Sequence, residues 1–244
     1  MIDSIVAWLS QYAENNKRPT LVVGVSGGID SAVTSTLCAK TGLKTIAVIM
    51  RIKTHDPLST TQTNWLTHHF ENVKVIDCDL NNVFEQFQKT AKDINCTNEL
   101  AFANTRSRIR MITLYQIAQS HNGLVVGTGN KIEDFGVGFF TKYGDGGVDI
   151  SPIADVYKSD VYKMAYHLGI PKEIQMTTPT DGLWDDERTD EDQLGITYDE
   201  LENVMKHLEG EKVEVNEKTI KIYAKHRRTN KHKMLPIPVY REVK

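Results

Sequence analysis

The chain has 244 residues, 40% hydrophobic and 25% charged, which is room for one large α/β domain with its own core. Its net charge of −3 argues against a general nucleic-acid binder, so anionic ligands must be met by local basic clusters. The apolar runs are strand-sized, which excludes a membrane-spanning helix, and no basic stretch leads into an apolar core as in a signal peptide. Cys38, Cys78 and Cys96 lack metal spacing and fit reduced thiols, so a cytoplasmic protein is expected.

Residues 2–15 carry Ile2, Ile5, Val6, Leu9, Tyr12 and Ala13 at helical spacing. After Pro19, the run Thr20-Leu21-Val22-Val23 reads as a buried parallel strand, and Ala32–Ala39 as a helix. Further strands are expected at Lys44–Met50, Val73–Asp77 and Gly123–Gly127, and helices at Thr61–Phe70, 82–92 and Leu100–Ser120. Strands alternating with helices predict a doubly wound parallel sheet with ligands at the strand C-terminal ends. Beyond Gly129 the pattern becomes irregular, with helices at Tyr157–Leu168, Tyr198–Leu208 and 216–228. A single domain is therefore expected, with the sheet in residues 18–130 and substrate loops and helices in residues 131–244.

Between the first strand and its helix lies Gly24-Val25-Ser26-Gly27-Gly28-Ile29-Asp30-Ser31. A glycine-rich turn there offers free backbone N–H groups and the positive end of a helix dipole to an anion. Gly27 and Gly28 allow close approach, and Ser26 and Ser31 can add hydroxyl donors. Asp30 would repel a phosphate unless a cation lay between them, so it reads as a Mg²⁺ ligand. The stretch lacks the Gly-Lys-Ser/Thr ending of a Walker loop and is not a dinucleotide fingerprint. The fourth strand runs into Gly127-Thr128-Gly129-Asn130-Lys131-Ile132-Glu133. Parallel strand ends lie side by side, which brings Thr128 towards the bound anion as a donor and Glu133 towards Asp30 as a second metal ligand.

Ser26–Ser31 resembles the pyrophosphate loop of the ATP pyrophosphatases, which cleave ATP between the α- and β-phosphates. Phe140-Thr141-Lys142-Tyr143-Gly144-Asp145-Gly146 sharpens this to a resemblance to bacterial NAD synthetases, spread from the first strand to Lys233. The resemblance implies the adenine nucleotide alpha hydrolase-like fold, Mg²⁺, a homodimer, and ATP, nicotinate adenine dinucleotide and ammonia as substrates. It implies ATP contacts for Gly24–Ser31, Thr128, Lys158 and Thr180, with Lys158 stabilising charge as pyrophosphate departs. It implies dinucleotide contacts for Arg108, Lys142, Asp149, His232 and Lys233, and a lid over Pro179–Asp192. Asp30, Glu133 and Lys158 are thus the expected catalytic set.

The implied reaction is attack of a nicotinate carboxylate on the ATP α-phosphorus, then displacement of AMP by ammonia. Free ammonia is expected because no glutaminase domain fits in 244 residues. The Gly182-Leu183-Trp184 form of the lid also occurs in a relative that amidates nicotinate mononucleotide, so substrate length stays open. A reading of another class is a nucleotide-binding module without catalysis. Two carboxylates at the phosphates argue against it.

Overall fold

The computed structural model describes residues 1–53, 57–180, 182–183 and 189–242. Among these residues, β1 (Thr20–Gly24), β2 (Lys44–Arg51), β3 (Val73–Asp79) and β4 (Gly123–Val126) form one parallel sheet in the order β3-β2-β1-β4. The chain steps from β1 outward to β3, then crosses back to place β4 on the other side of β1. The switch point is therefore between the C-terminal ends of β1 and β4, where a doubly wound sheet opens a crevice.

The strands are apolar on both faces because helices cover both. Leu21, Val23, Leu124 and Val126 share a core with α1 (Ile2–Asn15), α2 (Ile29–Lys40) and α6 (Lys158–Leu168). The alternate residues Val22, Ile46, Val48 and Val125 pack on Leu114, Ile117 and Ala118 of α5 (Glu99–Ser120). Helix α3 is Pro57–His69 and α4 is Asn81–Asp93. The expected helix at Thr61–Phe70 begins four residues earlier, since Pro57 sits in the first turn, where a missing N–H leaves no bond unmade.

Beyond residue 130 the chain does two things. Ile150, Ile153, Val156, Val161 and Met164 join the core beneath the sheet. A second core of Ile132, Val137, Tyr157, Leu194, Ile196, Tyr198, Leu201, Val204, Met205 and Tyr223 builds a separate platform. It clamps a π-helical turn, Ile132–Val137, against the short helix α8 (Asp190–Leu194), α9 (Tyr198–Leu208) and α10 (Glu217–Met234). A short α7 (Lys172–Gln175) precedes them. No helix among the described residues is long and apolar enough to cross a membrane.

Leu201 is fully buried in the platform. Leu201→Ala is expected to lower the unfolding free energy by about 2–5 kcal/mol in urea titrations. A loss below about 1 kcal/mol would mean that the platform is not a packed core.

Candidate active site

The glycine-rich turn closes β1 and opens α2. Gly27 has φ +101, and Gly28 precedes the helix with no side-chain cap on its N-terminal N–H groups. Ser31 Oγ accepts from the Ser26 N–H at 3.2 Å and donates to the Gly28 carbonyl at 2.9 Å, while the Ser26 and Ser31 hydroxyls lie 3.1 Å apart. The serines thus brace the turn from within, and the α2 dipole points out of it.

Across the switch point, Asn130 is fully buried and does three jobs. Its Oδ1 accepts from the Ile132 and Glu133 N–H groups at 3.0 and 3.2 Å. Its Nδ2 donates to Asp30 Oδ1 at 3.0 Å. One amide therefore starts the π-helical turn and ties it to α2. Gly129 is required beside it, because a Cβ there would run into the Asp134 carboxylate.

Lys158, the first residue of α6, brings the constellation together. Its side chain is only 4% exposed, and its Nζ donates to Asp30 Oδ2 at 2.5 Å and to Glu133 Oε1 at 3.1 Å. Burial alone would lower its pKa, but Asp30 and Glu133 outweigh burial and hold the ammonium protonated above the ordinary lysine range. Burial pushes the Asp30 carboxyl up against the pull of Lys158, with Glu133 adding to the rise. The neighbouring Asp134 carboxyl is pushed up to about 8 by burial and by Glu133, Asp145 and Asp30. Two hard carboxylates that meet at one cation are a donor set that fits a divalent ion. Among the described residues no cluster of three His, Cys, Asp or Glu side chains could hold a metal alone. Phosphate and water would have to supply the remaining ligands, as Mg²⁺ prefers.

Thr128 lies between β4 and Asn130 and is partly exposed. Thr180 is exposed, next to Asp181, which with Trp184–Arg188 lies outside the described residues, so most of the expected lid tip is not described. Arg108 is exposed and donates through Nε and Nη2 to the Lys142 carbonyl, both at 3.3 Å. Lys142 Nζ donates to the His232 carbonyl at 3.1 Å, and Lys233 Nζ to the Phe140 carbonyl at 2.7 Å. Arg108, Lys142 and the His232 carbonyl are therefore linked in a chain between α5 and α10, with Lys233 next to His232 bonded to the Phe140 carbonyl. Asp149 is elsewhere: Oδ2 accepts the Val125 N–H at 2.8 Å and Oδ1 the Tyr115 hydroxyl at 3.0 Å. It caps the outer edge of β4.

The sequence alone assigned no role to Asn130, Asp134 or Tyr198, and placed Asp190 only within the expected lid. Only Asn130 left a trace, as the residue that follows Gly127-Thr128-Gly129 at a strand end. It also missed the anchoring by α10, whose Arg227 donates to the Phe135 and Gly136 carbonyls and whose Asn230 Nδ2 donates to the Val137 carbonyl at 2.9 Å.

A family model described as NAD synthase matches residues 1–236. The chain belongs to this family. An NH₃-dependent NAD⁺ synthetase of Alkaliphilus metalliredigens is 38% identical over 229 residues, 90% of each chain. One of Mycoplasma genitalium is 40% identical over 201 residues, 82% of this chain and 79% of the relative. Among solved structures, an NMN synthetase of Francisella tularensis superposes with a TM-score of 0.88 at 33% identity, covering 98% of this chain and 96% of that one. An NH₃-dependent NAD synthetase of Campylobacter jejuni, 24% identical, shares the fold with a TM-score of 0.80 over 98% and 97% of the two chains. The parallel sheet with flanking helices is the adenine nucleotide alpha hydrolase-like fold of NAD synthases.

Asp149→Ala would leave the buried Val125 N–H without its acceptor. It is expected to cost about 1–3 kcal/mol of stability in urea unfolding. Unchanged stability would mean that Asp149 is not holding the edge of β4.

Proposed function

We propose that this chain is a C–N ligase that amidates nicotinate adenine dinucleotide to NAD with ATP and ammonia. One observation carries the reading: Asp30 and Glu133 converge on Lys158 beside the uncapped N-terminus of α2, in a chain of the NAD synthase family. The chemistry asks for this arrangement. The nucleophile is a carboxylate and the target a triphosphate, so both reactants are anionic and catalysis has to come from positioning and positive charge.

The backbone N–H groups at the start of α2, with Ser26 and Ser31, would hold the phosphates. Asp30 and Glu133 would hold Mg²⁺, which offsets phosphate charge and makes the α-phosphorus a better electrophile. Lys158 would stabilise the charge that builds on the departing pyrophosphate. The nicotinate oxygen bonds to the α-phosphorus as the bond to the bridging β-phosphate oxygen breaks. Ammonia then adds to the acyl carbon, AMP leaves with its oxygen, and the surplus proton passes to solvent. The group formed by Arg108, Lys142, His232 and Lys233 would receive the dinucleotide. Thr128 and Thr180 would contact ATP. A single domain working as a homodimer in the cytoplasm completes the reading.

A second reading keeps the chemistry and shortens the acceptor to nicotinate mononucleotide. The likeness to the Francisella tularensis NMN synthetase over nearly the whole of both chains favours it. Mass spectrometry of products from Mg-ATP and ammonium separates the two. NAD and AMP from the dinucleotide alone support the first reading, and faster amidation of the mononucleotide supports the second. No AMP from either acceptor would overturn both. Asp30→Asn is expected to abolish AMP formation with the circular dichroism spectrum unchanged, and normal pyrophosphate release by this variant would remove Asp30 from the metal site.

A further inference from the structure

Tyr198 opens α9 and is 6% exposed. Its hydroxyl lies 2.6 Å from Glu133 Oε1 and 3.1 Å from Asp190 Oδ2. Its ring stacks under the Lys158 ammonium, with Nζ 4.6 Å from the ring centroid. Its backbone N–H donates to Glu191 Oε1 at 2.8 Å. The side chain thus touches Glu133, Lys158 and Asp190, and the backbone N–H ties the residue to Glu191 of α8.

The placement is firm because the local sequence makes it so. Thr197 caps α9 through a reciprocal box with Glu200, and Thr189 does the same for α8 with Asp192. The two short helices meet at Tyr198, and Leu194, Ile196 and Leu201 pack around the joint. A hydroxyl on so fixed a ring defines a position in space. Glu133 needs one: its carboxylate ends a flexible side chain on a π-helical turn. With Oε1 held by Tyr198 and Lys158, Oε2 carries no hydrogen bond among the described residues.

We propose that Tyr198 is a positioning residue for Glu133. It fixes Oε1 so that Glu133 and Asp30 present their carboxylates to one shared cation. The phenol has one proton, and the shorter contact gives it to Glu133, while Asp190 of α8 lies against the same oxygen. The inference rests on the reading of Asp30 and Glu133 as the metal pair.

The experiment measures Mn²⁺ retention by electron paramagnetic resonance, with the uncleavable α,β-methylene analogue of ATP present. Tyr198→Phe keeps the ring and removes only the hydroxyl. It is expected to weaken Mn²⁺ binding by about 10-fold or more, and to shift the Mg²⁺ activation curve of AMP formation by a similar factor. The KM for the acceptor should stay unchanged. Asp190→Asn is expected to give a smaller shift in the same direction. Thermal melting of both variants checks that each is folded. Wild-type Mn²⁺ affinity and an unchanged Mg²⁺ curve in folded Tyr198→Phe would overturn the positioning role alone. Failure of the unsubstituted chain to retain Mn²⁺ with the nucleotide analogue would overturn the metal pair as well.

Discussion

An ammonium ion buried between two carboxylates organises this molecule. Lys158 starts α6, Asp30 sits in the first turn of α2 and Glu133 in the π-helical turn after β4, so three segments distant in sequence are held by one cation. Taken out of water, any one of these charges would be costly. Together they are tolerable because specific partners meet them: Asn130 on Asp30 Oδ1, Tyr198 on Glu133 Oε1, and the Tyr198 ring against Lys158. Removing the lysine would leave like charges facing each other in a largely buried site. The net charge of the trio is −1, which leaves it attractive to a second, divalent cation. A phosphate chain could approach only with such a cation present.

The sheet supplies the address. Reversal of strand order between β1 and β4 leaves a crevice at their C-terminal ends, and both loops that carry the acids leave from there. The core under α2 and α6 fixes two of the three charged residues, and the platform of α8, α9 and α10 fixes the third. Polar side chains of α10 finish the job by donating to the carbonyls that the π-helical turn and its exit leave without partners. Turns with i→i+5 bonding are rare, and α10 laid across this one supplies donors to its carbonyls.

How much of this was legible in the sequence depended on which kind of force set each feature. The βα units were legible because apolar runs and glycine punctuation are local signals, and Asp30 and Glu133 were legible because strand ends must lie together. The platform was less so. The acidic stretch around Asp190 reads as solvated loop, yet Thr189 and Asp192 build a capping box and Asp190 is buried on Tyr198. Helix α10 runs to Met234, six residues past the expected end, because Arg227, Asn230 and Lys233 hold it through hydrogen bonds rather than through an apolar stripe. The same limit explains the arginines of α5. Composition cannot tell that Arg106 is buried against the Phe84 ring while Arg108 reaches the Lys142 carbonyl at the surface. Long-range polar pairing leaves no periodicity behind.

The central claim is that this cluster serves cleavage of ATP between its α- and β-phosphates by a carboxylate. Transfer of ¹⁸O tests it most directly. Nicotinate dinucleotide labelled with ¹⁸O in both carboxylate positions would be converted with Mg-ATP and ammonium, and the products weighed. The account predicts one ¹⁸O in AMP and none in pyrophosphate, because the attacking oxygen leaves with the adenylate. AMP without label, or label in the pyrophosphate, would contradict it.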